Sequence, residues 1–104
     1  MATIRMWVPK RKDRAHLRLT SPVIKWNSVV HISVSEATEL ETNQLFGQNF
    51  PTVFGAASIT VQNISVRDGV VDFNVFVDWS TPLNIVTDIT ILEPPADGNI
   101  IIGT

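Results

Sequence analysis

The sequence predicts an all-β protein, a single domain over residues 1–104. The expected architecture is an antiparallel two-sheet β-sandwich, immunoglobulin-like or jelly-roll, with about seven strands. Three observations carry this. Runs rich in Val, Ile, Thr and Phe recur along the chain with apolar and polar residues alternating, the period of a half-buried strand. Gly and Pro signals punctuate those runs. The stretch 58–92 holds three runs in succession, split by Asp68-Gly69 and by Ser80-Thr81-Pro82.

Residues 3–8 place Ile4, Met6 and Val8 on one side and Arg5 and Trp7 on the other, a first strand at a sheet edge that Pro9 should stop. Lys10, Arg11, Lys12, Asp13 and Arg14 then read as a solvated loop. Alternation resumes over 16–20 through Leu17 and Leu19, and Ser21-Pro22 turns the chain. Residues 23–35 form one long strand or two short ones, with Ile24, Trp26, Val30, Ile32 and Val34 on one face and a break at Ser28.

The pattern changes at Glu36. Over 36–45 the alternation is lost, and a short helix capped by Ser35 competes with an acidic loop. Phe46, Phe50 and Phe54 follow at helical spacing, but Gly47, Pro51 and Gly55 break a helix, so the segment reads as an aromatic loop.

Asp68-Gly69 is a strong hairpin signal, matching a type I′ turn in which both residues take positive φ. A two-residue loop there pairs Arg67 with Val70, Val66 with Val71, Ser65 with Asp72 and Ile64 with Phe73. Beyond Ile64 the apolar phase flips from even to odd positions. One extra residue at Gln62-Asn63, a β-bulge, restores it and pairs Val61 with Val75 and Ile59 with Val77. The return strand should bury Val71, Phe73, Val75, Val77 and Trp79. A third strand over 83–92 carries Leu83, Ile85, Ile89 and Ile91 in phase; its β-branched density argues against a helix beginning at Pro82. Finally, 93–99 is a turn or linker leading to Ile100, Ile101 and Ile102, a last strand or an arm that pairs with a neighbouring chain.

Composition narrows the function. With no Cys there is no disulfide framework and no thiolate metal site or nucleophile. His16 and His31 show no ligand-like spacing, and the expectation is two outward strand histidines, no metal and no cofactor. No Gly-rich phosphate loop or nucleophile motif occurs. Asp72 and Asp78, six residues apart on one strand, are separated by about 20 Å. That distance is too great for a carboxylate pair flanking one scissile bond, so no catalytic residues are assigned. No signal peptide is read at the N-terminus, and no run approaches the roughly 18 apolar residues of a membrane helix. The expected location is therefore the cytoplasm or a virion.

Seven of the eight basic residues lie in the first 25 positions, while the remainder holds nine of the ten acids and only Arg67. The cluster Lys10, Arg11, Lys12 and Arg14 contains no aromatic to stack a base, which argues against nucleic acid. A non-enzymatic structural module is the leading expectation, a homo-oligomer or a subunit among other structural subunits, such as a small phage or virion component. It would use the charge asymmetry and the apolar residues Trp7, Phe76, Phe46, Phe50, Phe54, Ile100, Ile101 and Ile102 as interface. The alternative is a carbohydrate-binding, lectin-like module that stacks sugars on the Phe loop. A hydrolase using outward carboxylates is a third reading.

Overall fold

The computed structural model describes residues 2–38 and 52–103. The elements are β1 (Ala2–Arg11), β2 (Asp13–Thr20), β3 (Val29–Ala37), β4 (Thr52–Val53), β5 (Ser58–Arg67), β6 (Val70–Asp78) and β7 (Leu83–Leu92), then a 3-10 turn, Asp97–Asn99. The strands form two sheets, one ordered β1-β7-β3-β4 and the other β2-β6-β5. Every pairing is antiparallel. Six strands are long, and β4 contributes two residues at one edge.

One apolar cluster joins the two sheets. Val8, Ile85, Ile89 and Ile91 come from the first sheet, and Leu17, Val71, Phe73, Val75 and Val77 from the second. Alternation places them there: β6 reads half-buried, buried, half-buried, buried from Val70 to Val77. Full burial of each such side chain stabilises by about 1.5–3 kcal/mol relative to exposure. Thr87 is enclosed among them, and its hydroxyl donates to the Met6 carbonyl at 3.3 Å, which offsets the cost of burying it.

β1 is an edge strand, as expected, but it does not stop at Pro9. An edge tolerates a residue with no ladder donor, so β1 runs on to Arg11. Nor is 10–14 a loop, since only Lys12 separates β1 from β2. The chain bends from one sheet into the other through Lys10 (φ 32°) and Asp13 (φ 57°), and the Lys10 amide donates to the buried Asn84 Oδ1 at 3.1 Å. A basic strand crossing between sheets has no sequence signature that separates it from a basic loop.

The hairpin has the expected pairs Arg67 with Val70, Val66 with Val71, Ser65 with Asp72, Val61 with Val75 and Ile59 with Val77. Its bulge lies one residue later than expected. Gln62 pairs with Asn74, so Asn63 and Ile64 together oppose Phe73. Asn63 takes φ 55°, a left-handed conformation that Asn tolerates better than most residues. The bulge turns Ile64 out of the core, where it is exposed.

The turn differs from type I′, because only Gly69 (φ 77°) is left-handed. That combination of φ signs is the one a type II turn has. Tertiary contacts account for it. The Gly69 amide donates to the Ile24 carbonyl at 2.8 Å, the Gly69 carbonyl accepts from Ser21 at 3.0 Å, and Asp68 Oδ1 accepts from the Trp26 amide at 2.8 Å. Residues 21–28 are therefore not a strand but a loop docked on the hairpin tip. Ile24 drops fully into the core while Trp26, expected on the same face, is 71% exposed.

The break at Ser28 holds, since β3 begins at Val29, and β7 has the expected bounds. Trp79 lies beyond the end of β6 and is exposed rather than buried, because the strand stops at Asp78 before Ser80-Thr81-Pro82. Glu36 and Ala37 belong to β3, so the expected helix cannot begin there; 39–45 lie outside the described residues. Ile100, Ile101 and Ile102 form no strand.

Candidate functional site

Each sheet carries an outward aspartate at its central strand, gripped by an arginine from the N-terminal edge strand. On the first sheet, Arg5 of β1 lies directly opposite Asp88 of β7. Its Nε and Nη2 donate to the two carboxylate oxygens at 2.6 and 2.8 Å, a bidentate pair. This hydrogen bonding raises the pKa of Arg5 further.

On the second sheet, Asp72 of β6 lies opposite Arg18 of β2 on one side and Ser65 of β5 on the other. Asp72 Oδ1 accepts from Arg18 Nε at 2.7 Å and contacts His16 Nε2 at 2.9 Å, while Oδ2 accepts from Arg67 Nη2 at 2.6 Å. Hydrogen bonds from Arg18 first, then Arg67 and His16, hold the Asp72 carboxyl well below the usual carboxylate range. The Asp72 side chain is only 16% exposed beneath these longer ones. Period-2 alternation puts Arg14, His16 and Arg18 in a row on this outer face, and Phe76 sits directly opposite Arg14.

The sequence-derived candidates separate into distinct places. Trp7 lies on the outer face of the first sheet, paired with Val86, and is partly buried. Its Nε1 reaches across β7 to donate to the Thr38 carbonyl at 3.1 Å, which explains why Val86, on the solvent side, is nonetheless buried. Trp7 is thus a cover for its own sheet. Phe76 is partly buried on the opposite side of the molecule, on the second sheet. Arg11 donates to the backbone carbonyls of Pro9 and Lys10, bracing the bend between β1 and β2. Arg14 and Lys12 have no ion pair among the described residues.

Phe54 projects fully into solvent at 107% relative exposure and takes no part in the core. Phe46 and Phe50 lie outside the described residues. Ile100, Ile101 and Ile102 are 66%, 86% and 92% exposed, and Ile100 has the extended backbone φ −102°, ψ 118°. The structure adds what the sequence did not mark. Trp26 stands exposed on the docked loop. A cleft of about 480 Å³, whose lining includes Val23, Lys25, Asn27, Leu92, Glu93 and Pro94 but not Trp26, lies between that loop and the end of β7. The His16–Arg18–Arg67–Asp72 cluster was also missed. Half of it rests on the β2–β6 pairing, which joins residues more than fifty positions apart.

Among the described residues no three His, Asp or Glu side chains group as a metal site requires. No helix among them is long and apolar enough to cross a membrane. Compared with known proteins, the chain matches no family, and no curated protein or solved structure is similar to it.

Proposed function

We propose that the protein is a non-enzymatic structural module that associates with copies of itself, as a small virion or assembly subunit does, in the cytoplasm or in a particle. The observation that carries this is the segment Ile100, Ile101 and Ile102: three consecutive large apolar side chains, exposed and outside the apolar core formed by the described residues, with Ile100 extended. An exposed apolar run of this kind is ready to add to a sheet edge or fill a groove on a neighbour. Among the described residues, β1, β2 and β5 lie at sheet edges with no further strand beside them and offer such positions.

The charge asymmetry gives less support than the sequence suggested, since Arg5, Arg18 and Arg67 are engaged within the chain. The case against catalysis rests on chemistry: a carboxylate held ionised by Arg18, Arg67 and His16 is a poor general base. We further assign the two sheets to a β-sandwich of jelly-roll type. The first strand lies beside the last and the second beside the penultimate, β1 on β7 and β2 on β6, the nested wrapping of a jelly roll. That architecture recurs in capsid subunits and lectins, an analogy of fold that leaves function to be tested.

Size-exclusion chromatography with light scattering, run across protein concentration and at low and high salt, tests the proposal. A mass above the monomer that rises with concentration is the expected result. A monomer under all conditions contradicts it. The exposed Trp26 indole favours a second reading, a carbohydrate-binding module stacking a sugar ring on it. A glycan array reads that directly, and any hit should be lost in Trp26→Ala.

A further inference from the structure

We propose that the outer face of the β2-β6-β5 sheet binds single-stranded nucleic acid, with the row Arg14, His16 and Arg18 along its phosphates and Phe76 beneath a base. In the sequence the basic cluster lacks an aromatic residue. The fold supplies one by setting Phe76 of β6 directly opposite Arg14 of β2. Phosphate-binding and base-stacking groups then lie side by side on an open sheet face, the pairing that sequence-tolerant single-strand binders use.

The spacing of the row suits a phosphate backbone. Alternate residues on β2 are about 7 Å apart, close to the through-space separation of successive phosphates along a strand. Arg14, His16 and Arg18 can therefore meet neighbouring phosphates while a base turned towards the sheet lies on Phe76. Asp72 contributes by holding rather than by binding: low in the face, it fixes the guanidiniums of Arg18 and Arg67, whose side chains stay more than half exposed at 55% and 61%. Arg14, with no ion pair among the described residues, and Lys12 at the bend extend the positive surface. Asp78 is the other carboxylate on this face; opposite Ser58 and two positions from Phe76, it stands at the same end as Arg14 and offsets part of the positive charge there. The chain's net charge of −2 does not oppose binding, because acids more than about 10 Å away are screened at ordinary salt.

The test is fluorescence anisotropy of the full chain with a labelled oligothymidylate of about 20 nucleotides, in roughly 50 mM NaCl and over a salt series. Saturable binding tighter than about 100 µM is expected, with log affinity falling against log salt at a slope of about 2–3, as three or four phosphate contacts require. Lys12→Ala with Arg14→Ala should weaken binding at least about tenfold and reduce the slope by about 1.4. Phe76→Leu, which keeps the apolar volume, should weaken it at least about fivefold. Lys25→Ala, on the loop at the other end of the sheet, should leave it unchanged, and circular dichroism checks that each variant is folded. The proposal is overturned by absence of binding at low salt or by affinity indifferent to the Lys12 and Arg14 changes. It is equally overturned if a heparin fragment binds as tightly as the oligonucleotide while Phe76→Leu has no effect, the behaviour of a generic polyanion surface.

Discussion

Arg18 and Asp72 face each other across β2 and β6, Arg18 Nε donating to Asp72 Oδ1 at 2.7 Å, and Arg67 closes on the second carboxylate oxygen from the other side. Arg5 and Asp88 repeat the arrangement across β1 and β7 on the other sheet. Two of the seven N-terminal basic residues, Arg5 and Arg18, are thereby tied to acids of the inner strands as cross-strand pairs within the fold.

The Asp72 cluster sets a pH dependence. Its folded pKa lies below the unfolded value of about 3.9. Its contribution to stability is therefore complete above that value and is lost as the pH falls through the folded pKa. Asp72→Asn should melt a few degrees below the wild type at pH 7, with the gap closing as the pH is lowered towards 2. Thermal melts across that range read the difference. A gap that stays constant with pH would mean the charge of Asp72 is not what holds the cluster.

The bulge and the core make opposite predictions for neighbouring apolar residues. Phe73→Ala should cost about 3–5 kcal/mol, the loss for a fully buried aromatic. Ile64→Ser, turned outward by the bulge, should cost no more than about 1 kcal/mol. Urea unfolding of both variants measures this. Comparable large losses would put Ile64 back in the core.

Asn63 holds that bulge with a left-handed backbone. Asn63→Gly should be neutral within about 0.5 kcal/mol, whereas Asn63→Val should cost about 1–2 kcal/mol, because a β-branched residue disfavours positive φ. At the hairpin tip, Gly69→Ala should also cost about 1–2 kcal/mol. A Cβ there meets no atom within 4 Å, so the cost is one of backbone conformation alone. The same unfolding assay ranks all three.

Much of the architecture was legible in the sequence because it is local. The bounds of β7, the hairpin pairs and the buried row Val71, Phe73, Val75 and Val77 follow from alternation and one turn signal. The misreadings arise where distant segments meet. Asp68-Gly69 took another turn geometry because loop 21–28 bonds to it, and Trp26 left the core because that same loop buries Ile24 instead. Residues 10–14 looked like a loop because a strand passing between sheets at an edge needs no turn residues. Of the candidate site, the apolar run Ile100, Ile101 and Ile102, left open between a last strand and an arm, and the outward Asp72 were visible; the exposure of the run was not. The company Asp72 keeps was not, since alternation says which side a residue faces but not which strand lies beside it.

Self-association through the C-terminal segment is the central claim, and sedimentation equilibrium of the wild type beside a variant with Ile100, Ile101 and Ile102 all changed to Ser tests it most directly. These side chains are exposed and outside the core, so the variant should fold with unchanged stability. The account predicts a wild type that assembles with rising concentration and a variant that stays monomeric. A wild type that remains a monomer, or a variant that assembles equally well, would contradict it.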